Sequence, residues 1–152
     1  MELVNRAGRR MRLLGNALGL RSAKVFAIGF NKTGTTSLHA LFESLARPSF
    51  HGVEWRSSAR SDLWRRYDCF SDGVPEDFRL LDRSFPGARF ILQVRELAPW
   101  VYSRLAHIER EKARGTHGGL PGWDTTADSV QAWVRRRNEH HLQVMEYFAD
   151  RP

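Results

Sequence analysis

VFAIGFNKTGTTSL, residues 25–38, is the stretch on which the reading of the whole chain turns. Residues 24–29 form an apolar, β-branched run that stops at Gly29, the pattern of a buried strand. From Thr35 to Ala46 the residues Leu38, Leu41, Phe42 and Leu45 recur at helical spacing and share one face. Strand, tight loop and helix in that order point backbone N–H groups and the positive end of a helix dipole at an anion. Gly34 lets the backbone come close to a phosphate, and Thr35, Thr36 and Ser37 add hydroxyl donors. A nucleoside-triphosphate loop, G-x-x-x-x-G-K-[ST], carries its lysine directly after the second glycine, where it reaches the outer phosphates. Here Thr35 takes the lysine position and Lys32 projects from the middle of the loop, close to a departing or transferred group.

Outward from this stretch, strand and helix patterns alternate. A short strand is expected over residues 67–71, a helix over 75–84, and a second strong strand in RFILQVRE, residues 89–96, after the turn FPGA. Pro99 suits the first position of a helix that Trp100, Val101, Leu105 and Ile108 continue. A glycine-rich loop follows in RGTHGGLPGW, residues 114–123, and a last long helix is expected over 127–147. Strands separated by helices imply an α/β fold, a parallel sheet with helices on both faces, in which ligands bind beyond the carboxyl ends of the strands. The loop and Arg95 both lie at such ends. The chain shows neither an internal repeat nor a low-complexity tract.

The 152 residues, 41% hydrophobic and 27% charged, suit one globular domain and are few for two. Residues 1–23 are set apart as a basic leader or helix, with the domain proper over 24–152. In the leader, Leu3, Val4, Met11, Leu14 and Leu18 follow roughly helical spacing; the reading carried forward is a helix on the domain edge, with a membrane-surface helix as the alternative. No apolar run there matches a signal peptide or a membrane span, so a cytoplasmic location is expected. The formal charge is +7, and of 24 basic residues only Lys24, Lys32 and Lys112 are lysines. This excess favours an anionic ligand over a specific nucleic-acid partner. One cysteine, Cys69, rules out an internal disulfide and a cysteine-based metal cluster, and the histidines of EHH, residues 139–141, lack metal-ligand spacing on their helix.

The strand, loop and helix around Lys32-Thr33-Gly34-Thr35-Thr36 resemble those of sulfotransferases that use 3′-phosphoadenosine 5′-phosphosulfate (PAPS) as donor. The resemblance implies a P-loop NTPase-like sheet in which Lys32, Thr33, Gly34, Thr35, Thr36 and Ser37 hold the 5′-phosphosulfate. It also implies a strand-end arginine with a serine eight positions later, together gripping the donor's 3′-phosphate, and FILQVRELAPWVYSRL supplies Arg95 and Ser103. Arginine offers planar, multidentate recognition of phosphate, and serine adds a short hydroxyl donor. The implied activity is metal-independent transfer of a sulfuryl group to a hydroxyl or amine, with Lys32 stabilising charge on the leaving phosphate. Taken separately, each of these features has an ordinary reading: a turn before a helix, a degenerate nucleotide loop, a surface arginine, a helix-face serine.

The family uses differing bases, so that role is assigned by position. Asp72, just past the short strand and on the same rim as Lys32, is the first choice; His51 and Glu54 are alternatives, and Asp68, which starts the strand, is disfavoured. Trp55, Trp64 and Trp123 are candidates for adenine or acceptor stacking but suit a core equally well, and His107, His140 and His141 read as helix-surface residues. The loop GTHGGLPGW suits an acceptor-side lid or a plain exposed loop. The resemblance further implies a C-terminal strand and a basic, glycine-rich loop after the last helix, so the chain is expected to hold the front part of such a domain, lacking its C-terminal strands. Compatible acceptors are carbohydrate, small alcohol, amine, lipid headgroup and phenol. The rival functions are a P-loop kinase or NTPase binding ATP with magnesium, and a non-catalytic anion-binding or nucleic-acid-binding domain that uses the arginine excess.

Overall fold

The structure is a computed structural model that describes residues 2–18, 23–116 and 123–150. The chain divides into two compact units, residues 1–93 and 94–152. In the first unit the elements run α1 (Glu2–Ala17), β1 (Val25–Ala27), α2 (Thr35–Ser44), β2 (Ser49–His51), 3-10 turns at Val53–Arg56 and Ser58–Arg60, α3 (Ser61–Arg66), β3 (Cys69–Ser71), α4 (Phe78–Ser84) and β4 (Arg89–Ile91). The four strands form one all-parallel sheet in the order β2-β3-β1-β4. The protein is thus an α/β fold.

Period-2 alternation in β1 sends its side chains to two different packings. Phe26 goes to an aromatic layer: it stacks on its register partners Phe70 at 5.0 Å and Phe90 at 5.5 Å between centroids, and meets Trp55 and Phe85. Trp64 of α3 closes that layer edge-on to Phe85 and donates its indole N–H to the Trp55 carbonyl at 2.7 Å. Val25, Cys69 and Ile91 go to the other face, under Leu38 and Phe42 of α2. Both faces are therefore covered, as a parallel sheet requires. Trp55 and Trp64 are core residues, completely or almost completely buried, which removes them as stacking platforms for a ligand. Burial pushes the Cys69 thiol up to about 12, so it is inert packing material.

At the N-terminal edge of the sheet, Lys24 and Asp68 precede the paired residues Val25 and Cys69. The Asp68 carboxylate is fully buried, 3.6 Å from the Lys24 ammonium and 4.0 Å from Arg12 of α1. Lys24 also donates to the Tyr67 carbonyl. Burial lowers the Lys24 pKa, and Asp68 opposes that shift. In the fold Asp68 is a buried partner of Lys24 and Arg12. A second pair, Arg9 to Glu43 at 2.6 Å, ties α1 to α2, and Glu43 also accepts the Ser49 N–H at 2.8 Å.

All three expected strands are shorter than their sequence patterns suggest, and one, β2, is new. β4 ends at Ile91, because β1 leaves the ladder: Ile28 makes the last backbone bond to Ile91 at 2.9 Å, and the Gly29 N–H turns to the Gln93 side chain at 2.8 Å. A Cβ on residue 29 would run into the Gln93 backbone, so this close approach demands glycine. Helix α4 starts three residues later than expected, at Phe78, where the Asp77 carboxylate caps the Arg79 and Leu80 N–H groups at 2.8 and 3.0 Å.

The second unit contains α5 (Leu97–Ala113) and α6 (Ala127–Phe148). Pro99 is the third residue of α5 rather than its first; the first-turn N–H groups have no helical acceptor, so a missing one there is harmless. Both helices carry W-V-x-x-R, and the two sequences interlock: Arg104 of α5 lies 4.4 Å from the Trp133 ring of α6, and Arg137 of α6 lies 5.4 Å from the Trp100 ring of α5. Trp123 stands 5.5 Å from the His107 ring and is half-buried. The lid expectation falls mainly on residues 117–122, outside the described residues.

His140 and His141 are buried, which corrects their reading as surface residues. They lie on the same stripe of α6 as buried Trp133 and Val144, while Leu142 and Met145 face outward. Burial, helped by Arg137 and His140, pushes His141 down to about 4 from its ordinary 6.5. A depressed folded pKa means that the unfolded chain takes up the proton first, so the contribution of neutral His141 is full above pH 6.5 and disappears as pH falls toward 4. Thermal midpoints should therefore drop across this window, and His141→Gln should flatten the slope. An unchanged slope would place the titrating group elsewhere.

Candidate anion site at the carboxyl end of the sheet

The loop between β1 and α2 emerges from the central part of the sheet, flanked by β3 and β4. Gly34 is the N-cap of α2, with φ 88° and no side-chain cap, and its carbonyl accepts the first helical bond from Leu38 at 3.0 Å. The first-turn N–H groups of Thr35, Thr36 and Ser37 thus begin a helix whose positive end is turned to the loop. Beyond an ideal Cβ on Gly34 there is open space, so left-handed φ, and not crowding, is what selects glycine there. Thr33 folds its hydroxyl back to the Phe30 carbonyl at 2.5 Å. Thr35 is buried, Thr36 and Ser37 are exposed, and Lys32 is half-buried.

Lys32 has φ 66° and Asp72 has φ 93°. Among the described residues only one other non-glycine has positive φ, Ala46 at 57°. Ala46 has a local reason: it is the left-handed residue closing α2, with Arg47 N–H bonded back to the Phe42 carbonyl at 3.0 Å. Lys32 and Asp72 sit instead in the loop after β1 and in the turn after β3, two neighbouring strands. The uncommon conformations therefore fall on the two residues singled out from the sequence for chemistry.

His51 is the last residue of β2, opposite Ser71 in the parallel register. Its Nδ1 lies 3.0 Å from the Ser71 hydroxyl and its Nε2 lies 3.4 Å from the Thr36 hydroxyl of the loop helix. The His39 ring stacks on it at 5.3 Å, and His39 Nδ1 is 2.8 Å from the Ser49 hydroxyl. Burial lowers the His39 pKa, with Glu43 opposing and His51 and Arg9 assisting. The Trp55 indole fixes the Ser71 carbonyl from behind at 2.8 Å. Sequence reasoning named His51 only as an alternative and passed over His39 and Ser71. Glu54 is exposed, in the 3-10 turn after β2 that also carries the buried Trp55.

Arg95 and Ser103 belong to the second unit. Arg95 is exposed, four residues beyond β4, and its carbonyl accepts from the Arg137 guanidinium at 2.5 Å. Ser103 is half-buried in the second turn of α5. Among the described residues, no three His, Cys, Asp or Glu side chains are grouped as a metal site, and no helix is long and apolar enough to cross a membrane. Comparison with protein-family models and with curated proteins gives no match.

Proposed function

We propose that the protein is a PAPS-dependent sulfotransferase of P-loop NTPase-like fold, moving a sulfuryl group to a hydroxyl or amine of an acceptor. The observation that carries this reading is the β1-loop-α2 unit: an α2 N-terminus without a side-chain cap, preceded by Lys32 and Gly34 in left-handed conformation. Such a unit suits the phosphosulfate end of the donor, because its donors are backbone N–H groups, hydroxyls and one lysine. The donor, when bound, supplies a sulfuryl group on a good leaving phosphate. Lys32 and the first-turn N–H groups of α2 stabilise the negative charge that builds on that phosphate as the sulfur–oxygen bond breaks. Asp72 takes the proton from the acceptor as its oxygen or nitrogen bonds to sulfur. Arg95 and Ser103 are assigned the 3′-phosphate through the family pattern.

Thermal-shift titration tests the donor. Stabilisation by adenosine 3′,5′-bisphosphate without metal is expected, and Arg95→Ala should abolish it. Stabilisation by ATP with magnesium but not by the bisphosphate would favour the kinase or NTPase reading. Equal stabilisation by any polyanion would favour the non-catalytic one.

His51 is a second reading for the base, favoured by its bond to Thr36 in the loop helix. Asp72→Asn is expected to lower kcat by on the order of a hundredfold or more, and His51→Gln by less. The reverse order of effects would exchange the two roles.

A further inference from the structure

Helix α1 lies on the first unit with its polar side inward. Arg9 and Arg12 reach in to Glu43 and to the buried Asp68, and Gly8 comes against Ala46 of the α2 terminus. The opposite side carries Ala7, Met11, Leu14 and Leu18, at spacings of four, three and four residues, which is a single stripe. All four are exposed, Met11 at 74%, Leu14 at 62% and Leu18 at 69% of their full surface. Beside the stripe stand Arg6 and Arg10, also exposed. An amphipathic helix normally buries such a stripe against its own domain; here two ion pairs fix it facing out.

From this arrangement we infer that α1 is an interfacial helix that seats the protein on an anionic lipid surface. Leu and Met on one side and arginine along the edge is the composition of helices that lie in the headgroup region, where the apolar stripe enters the acyl boundary and the arginines meet acidic headgroups. Charge selects the occupant. A second copy of the chain brings the same arginines and the same +7 against this face, which opposes self-association, whereas an acidic bilayer complements both. The inference stands apart from the donor site and holds whatever that site binds.

Sedimentation of the full chain with vesicles tests it. Vesicles of phosphatidylcholine mixed with phosphatidylserine should carry the protein down, and phosphatidylcholine alone should not. Salt should weaken the binding. Leu14→Glu should lower vesicle affinity by on the order of tenfold or more, because a buried leucine is lost and a repelled charge gained. Arg10→Gln should lower affinity and reduce its salt dependence. Residue 14 is exposed, so the variant should keep its circular dichroism spectrum and melting temperature, and that control separates lost binding from lost folding. Equal binding to both vesicle types, no binding to either, or an unaffected Leu14→Glu would overturn the inference. So would a dimer in light scattering that Leu14→Glu dissociates while vesicles bind neither protein, or retention of an acidic protein partner without vesicle binding.

Discussion

Lys32→Ala should lower the rate of sulfuryl transfer by on the order of a hundred- to a thousandfold, the usual cost of removing one donor aimed at developing charge. The lysine is held in a left-handed backbone conformation beside the N-terminus of α2, where the helix dipole already favours negative charge. Alanine meets the same backbone cost at φ 66° as lysine does, so the left-handed turn should form in the variant as in the parent, and a melting curve should accompany the rate measurement. The separation to be measured is between rate and binding. Turnover with labelled donor, on an acceptor found by screening phenols, alcohols, amines and carbohydrates, should collapse. The thermal shift given by adenosine 3′,5′-bisphosphate should shrink only modestly, since the contacts proposed for the loop amides and for Arg95 and Ser103 would remain. A variant that transfers within a few fold of the parent would remove Lys32 from the chemistry.

Asp68→Ala should cost about 3 kcal/mol of stability, the lower end of the range for breaking a buried ion pair from one side. The carboxylate has no exposed surface and serves both Lys24 and Arg12, so its loss strands a buried ammonium and loosens α1. The cost stays at the lower end because burial already lowers the Lys24 pKa, and shedding the proton is a way out. Chemical denaturation gives the number directly. The paired replacement Lys24→Met with Asp68→Leu should recover much of the loss, as apolar substitutes of similar size often do. Because this group lies at the N-terminal edge of the strands, the variant, when kept folded, should bind the donor product as the parent does. Impaired binding at full folding would place Asp68 in the site.

The β1-loop-α2 unit was legible in the sequence because what announces it is local: an apolar run that stops at a glycine and a helical face beginning at Thr35, whereas the close approach of Gly29 to Gln93, 64 residues away, shows only in the fold. Helices α5 and α6 were legible for the same reason, being long and periodic. β2 was not. Ser49-Phe50-His51 contains one apolar residue, and only pairing with β3 makes it a strand. The contacts of His51 with Thr36 and Ser71 stayed hidden with it, since they follow from that pairing. The buried histidines of α6 were missed although the spacing was present: residues 133, 140, 141 and 144 share a stripe, but two polar residues inside it disguise the pattern. Asp72 was proposed from its place after a strand, while its backbone conformation is visible only in the fold.

The position of β1 between β3 and β4 has a consequence for how such a protein diversifies. The turn after β1 is anchored on one side by Gln93, whereas His51, Ser71 and Asp72 come from the ends of β2 and β3 on the other. Under the proposed reading, residues beside His51 and Asp72 in the turns after β2 and β3 can be varied, with both candidate bases kept, without disturbing the anchor at Gly29. If the proposed transfer is demonstrated, directed evolution toward a new acceptor has a natural place to begin in those turns, with the loop after β1 held fixed.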